Sequence, residues 1–393
     1  MSDAATRAVI ETPLLGVHKS AGAAIGTWFG CALPDSFHGA ARRSDFPDAT
    51  HRTEPTNPAD REDVRDWLAE YRAARESVAL IDKNYRAYLR FTGPDRVRYL
   101  NAILTNNIKD LAVGHGIISL FLNPQGRIQA EIETYATEES LFCVTYAMIR
   151  ETLVPALDKF IIMDDVTLTD ETEMFGTVAL EGPLAADIVK TLTTIDLANH
   201  GELSFQEAAV AGISCGLTKR SPGGVAGAEF LATREDLPQL CRALRGAVET
   251  AGGRAIGYRA LNALRLEQGI PWFGYDFGDK QIPHEAGLEH SHISYTKGCY
   301  TGQEIVERVR SRGQVNRVRV LVKFDSNEPP AAGTALTVDG REAGHVTRTA
   351  FSPSMQSAIG MAYARREKSA FGSQLDCAGA RATVSRAPLA NKT

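Results

Sequence analysis

Apolar residues recur along the chain at two periods, and the switches between them predict its elements. Val64, Trp67, Leu68 and Tyr71 fall at helical spacing and predict a helix over 63–77. Val97, Leu100, Ile103 and Leu104 predict another, entered through Thr92-Gly93-Pro94-Asp95 with Thr92 as its cap. Leu153, Leu157 and Phe160 mark the inward face of a third over 150–160. Further helices are expected from Pro183 to Thr191 and over 236–250 and 260–268. Short runs predict strands at 78–81, 87–91, 117–122, 128–135, 140–146, 166–169, 175–180 and 214–218. Asn123-Pro124-Gln125-Gly126 reads as the turn of a hairpin. Hairpins mixed with helices point to an α+β fold rather than a doubly wound sheet. No glycine fingerprint follows a strand here, which argues against a dinucleotide or P-loop site.

Beyond Gly313 the pattern changes. Runs at 318–324, 335–338, 342–348 and 357–363 are punctuated by Pro329-Pro330, Asp339-Gly340 and Gly344, and predict a small C-terminal β-barrel. Residues 37–62 are polar and proline-rich and read as an exposed loop. The expected organisation is an N-terminal segment over 1–62, an α+β core over 63–313 and a barrel over 314–393. The core is expected to split into two sub-domains near 170–180.

Composition narrows the function classes. The 393 residues are 44% hydrophobic and 23% charged, which is ordinary for a globular protein. A net charge of -5 offers no general basic surface for nucleic acid. No apolar run approaches the roughly 20 residues of a membrane span, and the N-terminus lacks the layout of a signal peptide. A cytoplasmic protein without a membrane partner is expected. Six cysteines are scattered without metal spacing, so neither a resident cluster nor a metal site is expected. His290 and His292 fall on one side of a segment read as extended, with no third or fourth zinc ligand nearby.

The densest candidate chemistry is Lys297-Gly298-Cys299-Tyr300-Thr301-Gly302-Gln303-Glu304. Thr301 and Glu304 stand in the capping-box relation, which would put Cys299 just before a helix N-terminus. Lys297 adds a cation two residues away. Both features favour thiolate over thiol. The alternative is a cysteine that is simply a small core residue.

The same octapeptide resembles the K-G-C-Y-x-G-Q-E signature of the YgfZ-type folate-binding proteins, which belong to the superfamily of the glycine-cleavage T-protein (GcvT, an aminomethyltransferase). Other segments are similar to the superfamily as well: Thr12-Pro13-Leu14, Phe91-Thr-Gly-Pro-Asp, Leu122-Asn-x-x-Gly, Leu264-Arg-Leu-Glu-x-Gly-Ile-Pro, Pro283-His-Glu-Ala-Gly-Leu and Gly344-His-Val-Thr. The resemblance implies a three-part, ring-like molecule that binds tetrahydrofolate. It implies that Asn123, Glu229, Arg265 and Lys297 contact the folate and that Cys299 and Glu131 carry chemistry. At the T-protein's paired acids this chain has Ala130 and Glu131, and at its substrate-gripping arginine it has Leu261. Arg265 has an alternative reading as a structural ion pair with Glu267.

Three functions follow from this resemblance. The first is a folate-binding protein that assists iron–sulfur cluster assembly or repair through Cys299, with iron–sulfur client or assembly proteins as partners. The second is an aminomethyltransferase that moves a one-carbon unit onto tetrahydrofolate with help from Glu131. The third is a folate-binding module without chemistry.

Overall fold

A computed structural model of the protein describes residues 8–38, 62–222 and 225–387. All but the ends of the expected loop over 37–62 lies outside the described residues, as does the glycine pair at 223–224. The chain divides into two compact units. One comprises the chain up to Tyr85 with Met174–Glu202 and Gln206–Leu261, and the other comprises Arg86–Glu173, Leu203–Phe205 and the chain from Asn262.

The first unit is built on a six-stranded sheet. Its order is Phe205–Val210, Ile213–Lys219, Gly227–Thr233, Phe175–Glu181, Ala79–Asp82 and Arg254–Ala255. Alternation along the strands gives the sheet two different faces. One face sends Val78, Leu80, Val178, Leu180, Leu217 and Phe230 into an apolar core. Helices Ala185–Thr193 and Leu237–Thr250 cover that core with Ile188, Val189, Leu240, Leu244 and Val248. On the other face Ala179 pairs with both Glu229 and Ile81, and this face carries charge. Cys31–Phe37 forms a second sheet with Ile10–Glu11 and Ala23–Trp28.

The second unit contains an antiparallel five-stranded sheet ordered Gly116–Leu122, Ile128–Ala136, Leu141–Tyr146, Arg86–Thr92 and Thr167–Asp170. Helices Arg96–Ile103 and Arg150–Asp158 pack on it through Leu100, Ile103, Leu153 and Leu157. Two helix-end expectations are corrected. The first helix is entered at Asp95, not Thr92, which ends a strand, and the Asp95 carboxylate accepts from the Asp165 amide at 2.9 Å. Phe160 lies beyond the end of the second helix and is 40% exposed.

The expected α+β class and C-terminal barrel are both present, and the barrel is closed. Its strands run Arg317–Phe324, Ser357–Arg365, Arg341–Ser352, Ala335–Val338, Gln374–Cys377 and Ala380–Ser385. The last two were not read from the sequence. Ala382–Ser385 pairs with Leu321–Phe324 and removes the open edge. Among the described residues no helix is long and apolar enough to cross a membrane.

Candidate functional site

Glu131 and Ala130 are neighbours on the Ile128–Ala136 strand and point to opposite faces. Ala130 is fully buried in the core beneath the helices. Glu131 is held on the other face by two side chains. His292 Nε2 lies 3.0 Å from Glu131 Oε1, and the Tyr146 hydroxyl donates to Oε2 at 3.0 Å. The Ser291 hydroxyl is 2.7 Å from His292 Nδ1. Both imidazole nitrogens of His292 therefore have a hydrogen-bond partner. The carboxylate keeps 19% of its side-chain surface exposed, so it is oriented and still reachable. No local pattern marks Tyr146 as a partner for Glu131, and the position expected for His292 is corrected. Residues 288–292 form turns rather than an extended run, with the His292 amide bonded to the Leu288 carbonyl. His290 therefore faces solvent, with its side chain 91% exposed, while His292 turns inward. Among the described residues no group of His, Cys, Asp and Glu is arranged to hold a metal ion.

The octapeptide is built differently from its expected capping box. The helix is Gln303–Arg312, its N-cap is Gly302 with a left-handed φ of 82°, and no side chain caps it. Glycine is required at 302 for two reasons. Its φ is one that side-chain-bearing residues avoid, and a Cβ there would sit 2.6 Å from the Asn123 carbonyl oxygen. Tyr300 and Val306 anchor the segment in an apolar cluster with Leu120, Leu122 and Ile128 of the hairpin. The Lys297 ammonium is engaged by backbone carbonyls. It donates to the carbonyls of Asn101 and Leu104, where the helix Arg96–Ile103 ends. Burial pushes its pKa down to about 8. Cys299 is exposed, whereas the other five cysteines are free and buried.

The remaining predicted residues fall in three places. Asn123 sits in the hairpin turn, where its side-chain oxygen accepts from the Gln125 and Arg127 amides at 3.0 and 2.9 Å. Arg265 is buried against Asp276, donates to Asn262 and the Ile270 carbonyl, and lies over the Trp272 ring at 4.4 Å. Its ion-pair partner is therefore Asp276 and not Glu267, whose Oε1 accepts from Ser352 and Ser354. Thr347 donates to the same Asp276 at 2.6 Å, so this cluster ties the helix Tyr258–Gln268 to a barrel strand.

Glu229 lies in the first unit on the charged face of the six-stranded sheet and is buried. Lys83 follows the Ala79–Asp82 strand, and its amide continues the register by bonding to the Thr177 carbonyl. Its Nζ is 2.8 Å from Glu181 Oε1. Tyr85 stacks on Phe29, with ring centroids 4.3 Å apart, and both meet the edge of Tyr258. The sequence reading passed over Lys83. The available signal was an Asp-Lys pair set directly after the apolar run from Val78 to Ile81, where ionisable residues need partners.

Comparison with known proteins agrees with this architecture. Residues 14–293 match the family described as the GCVT N-terminal domain, and residues 317–390 match the glycine cleavage T-protein C-terminal barrel domain. An aminomethyltransferase of Desulforamulus reducens is 24% identical over 362 residues, covering 90% of this chain and 89% of the relative. One from Rubrobacter xylanophilus is 29% identical over 296 residues, covering 75% and 78%. The crystal structure of the glycine cleavage system aminomethyltransferase T from Bartonella henselae superposes with a TM-score of 0.82 at 20% identity, covering 98% of this chain and 99% of that one. At that identity the match speaks for the fold alone.

Proposed function

Because this chain belongs to the glycine-cleavage T-protein family, we propose that it binds tetrahydrofolate and moves a one-carbon unit onto it in the manner of an aminomethyltransferase. The observation that carries this reading is the Glu131 carboxylate, oriented by His292 and Tyr146 and still open to solvent. Transfer of a methylene group from an S-aminomethyl carrier to tetrahydrofolate breaks the carrier's C–S and C–N bonds and releases the carrier thiol and ammonia. It needs a group that relays protons from the folate nitrogens to these leaving groups as the new N–C bonds form. A carboxylate fixed by two hydrogen bonds is suited to that step, since acid–base catalysis depends on placement within hydrogen-bond reach. Glu229 is the acceptor for the pterin ring in this reading, because its two oxygens match the paired N–H donors of the ring edge. Ala130 leaves Glu131 as the one acid of the expected pair.

A second reading is favoured by one observation. Cys299 is the exposed cysteine among six, and it lies in the segment that resembles the YgfZ-type signature. In this reading the chain binds reduced folate, and the Cys299 thiol assists iron–sulfur cluster assembly or repair on client proteins. One experiment separates the two. The protein is mixed with tetrahydrofolate and an aminomethyl-lipoyl carrier protein, and methylene-tetrahydrofolate and ammonia are followed. The first reading expects turnover that falls at least about 100-fold in Glu131→Gln, in line with the loss of a general base, and persists in Cys299→Ala. Tight folate binding with no turnover overturns it in favour of the second. Absence of folate binding at high micromolar concentration overturns both.

A further inference from the structure

We propose that Lys83 tunes the charge of the ligand accepted at the Glu229 face, lowering the advantage that a ring-protonated 2,4-diaminopteridine gains there over a neutral amide-type pterin. The inference rests on the reading of Glu229 as the pterin acceptor. It is carried by the arrangement of charge on one face of the six-stranded sheet. Glu229 pairs with Ala179, Ala179 pairs with Ile81, and Lys83 continues opposite Thr177, so these side chains share the face turned away from the apolar core. Lys83, Glu181 and Glu229 then sum to one negative charge on a buried surface.

Burial works against the Lys83 ammonium, but Glu181, Tyr85 and Glu229 outweigh it and raise its pKa, so the cation persists at any working pH. Glu181 holds it in place at 2.8 Å. With the ammonium in place the group attracts a second cation less strongly than its two carboxylates alone would. It remains a good acceptor for a neutral fork of two N–H donors, which is what the amide and amino groups of a pterin present. A 4-amino group in place of the 4-oxo group makes the ring basic enough to bind a carboxylate as a cation. Lys83 repels that form across a poorly screened distance, and such a repulsive element separates close analogues more sharply than added attraction.

The test is the ratio of dissociation constants for tetrahydrofolate and its 4-amino-4-deoxy analogue, measured by calorimetry on the full chain. Lys83→Met is expected to shift the ratio toward the 4-amino compound by at least about tenfold, while Lys83→Arg keeps the native ratio. Tetrahydrofolate binding with an unchanged ratio in Lys83→Met overturns this inference and leaves the folate reading standing. A native protein that binds neither compound overturns both. If Lys83→Met does not fold, Glu181→Gln makes the same test from the other side. It removes a negative charge and is expected to weaken the 4-amino compound further, and an unchanged ratio there also overturns the inference.

Discussion

Lys83 and Lys297 are both drawn out of water, in different units, and they differ in what receives the charge. The Lys83 ammonium meets the Glu181 carboxylate, with Glu229 on the same sheet face. The Lys297 ammonium meets two backbone carbonyls and lies over the Tyr300 ring. Burial disfavours the charged form of both. Carboxylates reverse that penalty at Lys83 and raise its pKa, whereas carbonyl dipoles do not, and Lys297 falls to about 8. Lys83 is therefore a permanent cation inside a charged group. Lys297 is a brace that pins the octapeptide to the end of the helix Arg96–Ile103. From sequence, Lys297 looked like the functional lysine because it stands beside a cysteine. In the structure its ammonium is engaged by two carbonyls at a helix end, and a second cation, Lys83, shares a sheet face with the candidate ligand acceptor Glu229.

This contrast is broken most forcefully by removing each ammonium in turn. Lys83→Met leaves buried carboxylates without their cation, and losing one partner of a buried pair costs about 3–5 kcal/mol. Lys297→Met removes two hydrogen bonds to carbonyls near the surface, and about 1–2 kcal/mol is expected. Chemical-denaturation midpoints of the two variants against the native protein check the order. Equal losses would show that Lys83 is no more strongly paired than Lys297. Adding Glu181→Gln to Lys83→Met sharpens the comparison, because part of the loss should return once the orphaned carboxylate is gone.

What the sequence disclosed follows the range of the interactions involved. The hairpin around Asn123 and the helix over 62–76 rest on local periodicity and turn chemistry, and both formed within a residue or two of expectation. The barrel was legible through its first four strands. The closing pair Gln374–Cys377 and Ala380–Ser385 has only Leu375, Cys377, Ala382 and Val384 as buried positions, too few to stand out from a polar tail. Glu131 was found because a motif marked it. Its partners Tyr146 and His292 lie 15 and 161 residues away along the chain, and no local pattern connects them. The capping box failed for a similar reason. Thr301 and Glu304 have the right spacing, but close approach of the Asn123 carbonyl requires a glycine at 302, and the helix starts there instead.

The smallest expected effect is also the most specific to the comparison, because it separates the two lysines by pH. Below about pH 8 the Lys297 ammonium is charged in both folded and unfolded chains, and the cost of burying it is fully present. Between about 8 and the ordinary lysine value of 10.5 the folded protein releases this proton while the unfolded chain keeps it, so stability rises with pH across that window. Lys83 contributes the opposite slope and only above 10.5, since its folded-state pKa is raised. The native protein should therefore gain stability relative to Lys297→Met as pH climbs from 8 toward 10.5. Because Lys297 is only half-buried and solvent screens part of its charge, the gain should stay within about 1 kcal/mol. Taking the difference between the two proteins cancels the thiols and phenols that titrate in the same range. A flat difference would mean that the two carbonyls hold the ammonium as well as a carboxylate does, and the distinction between brace and permanent cation would fail.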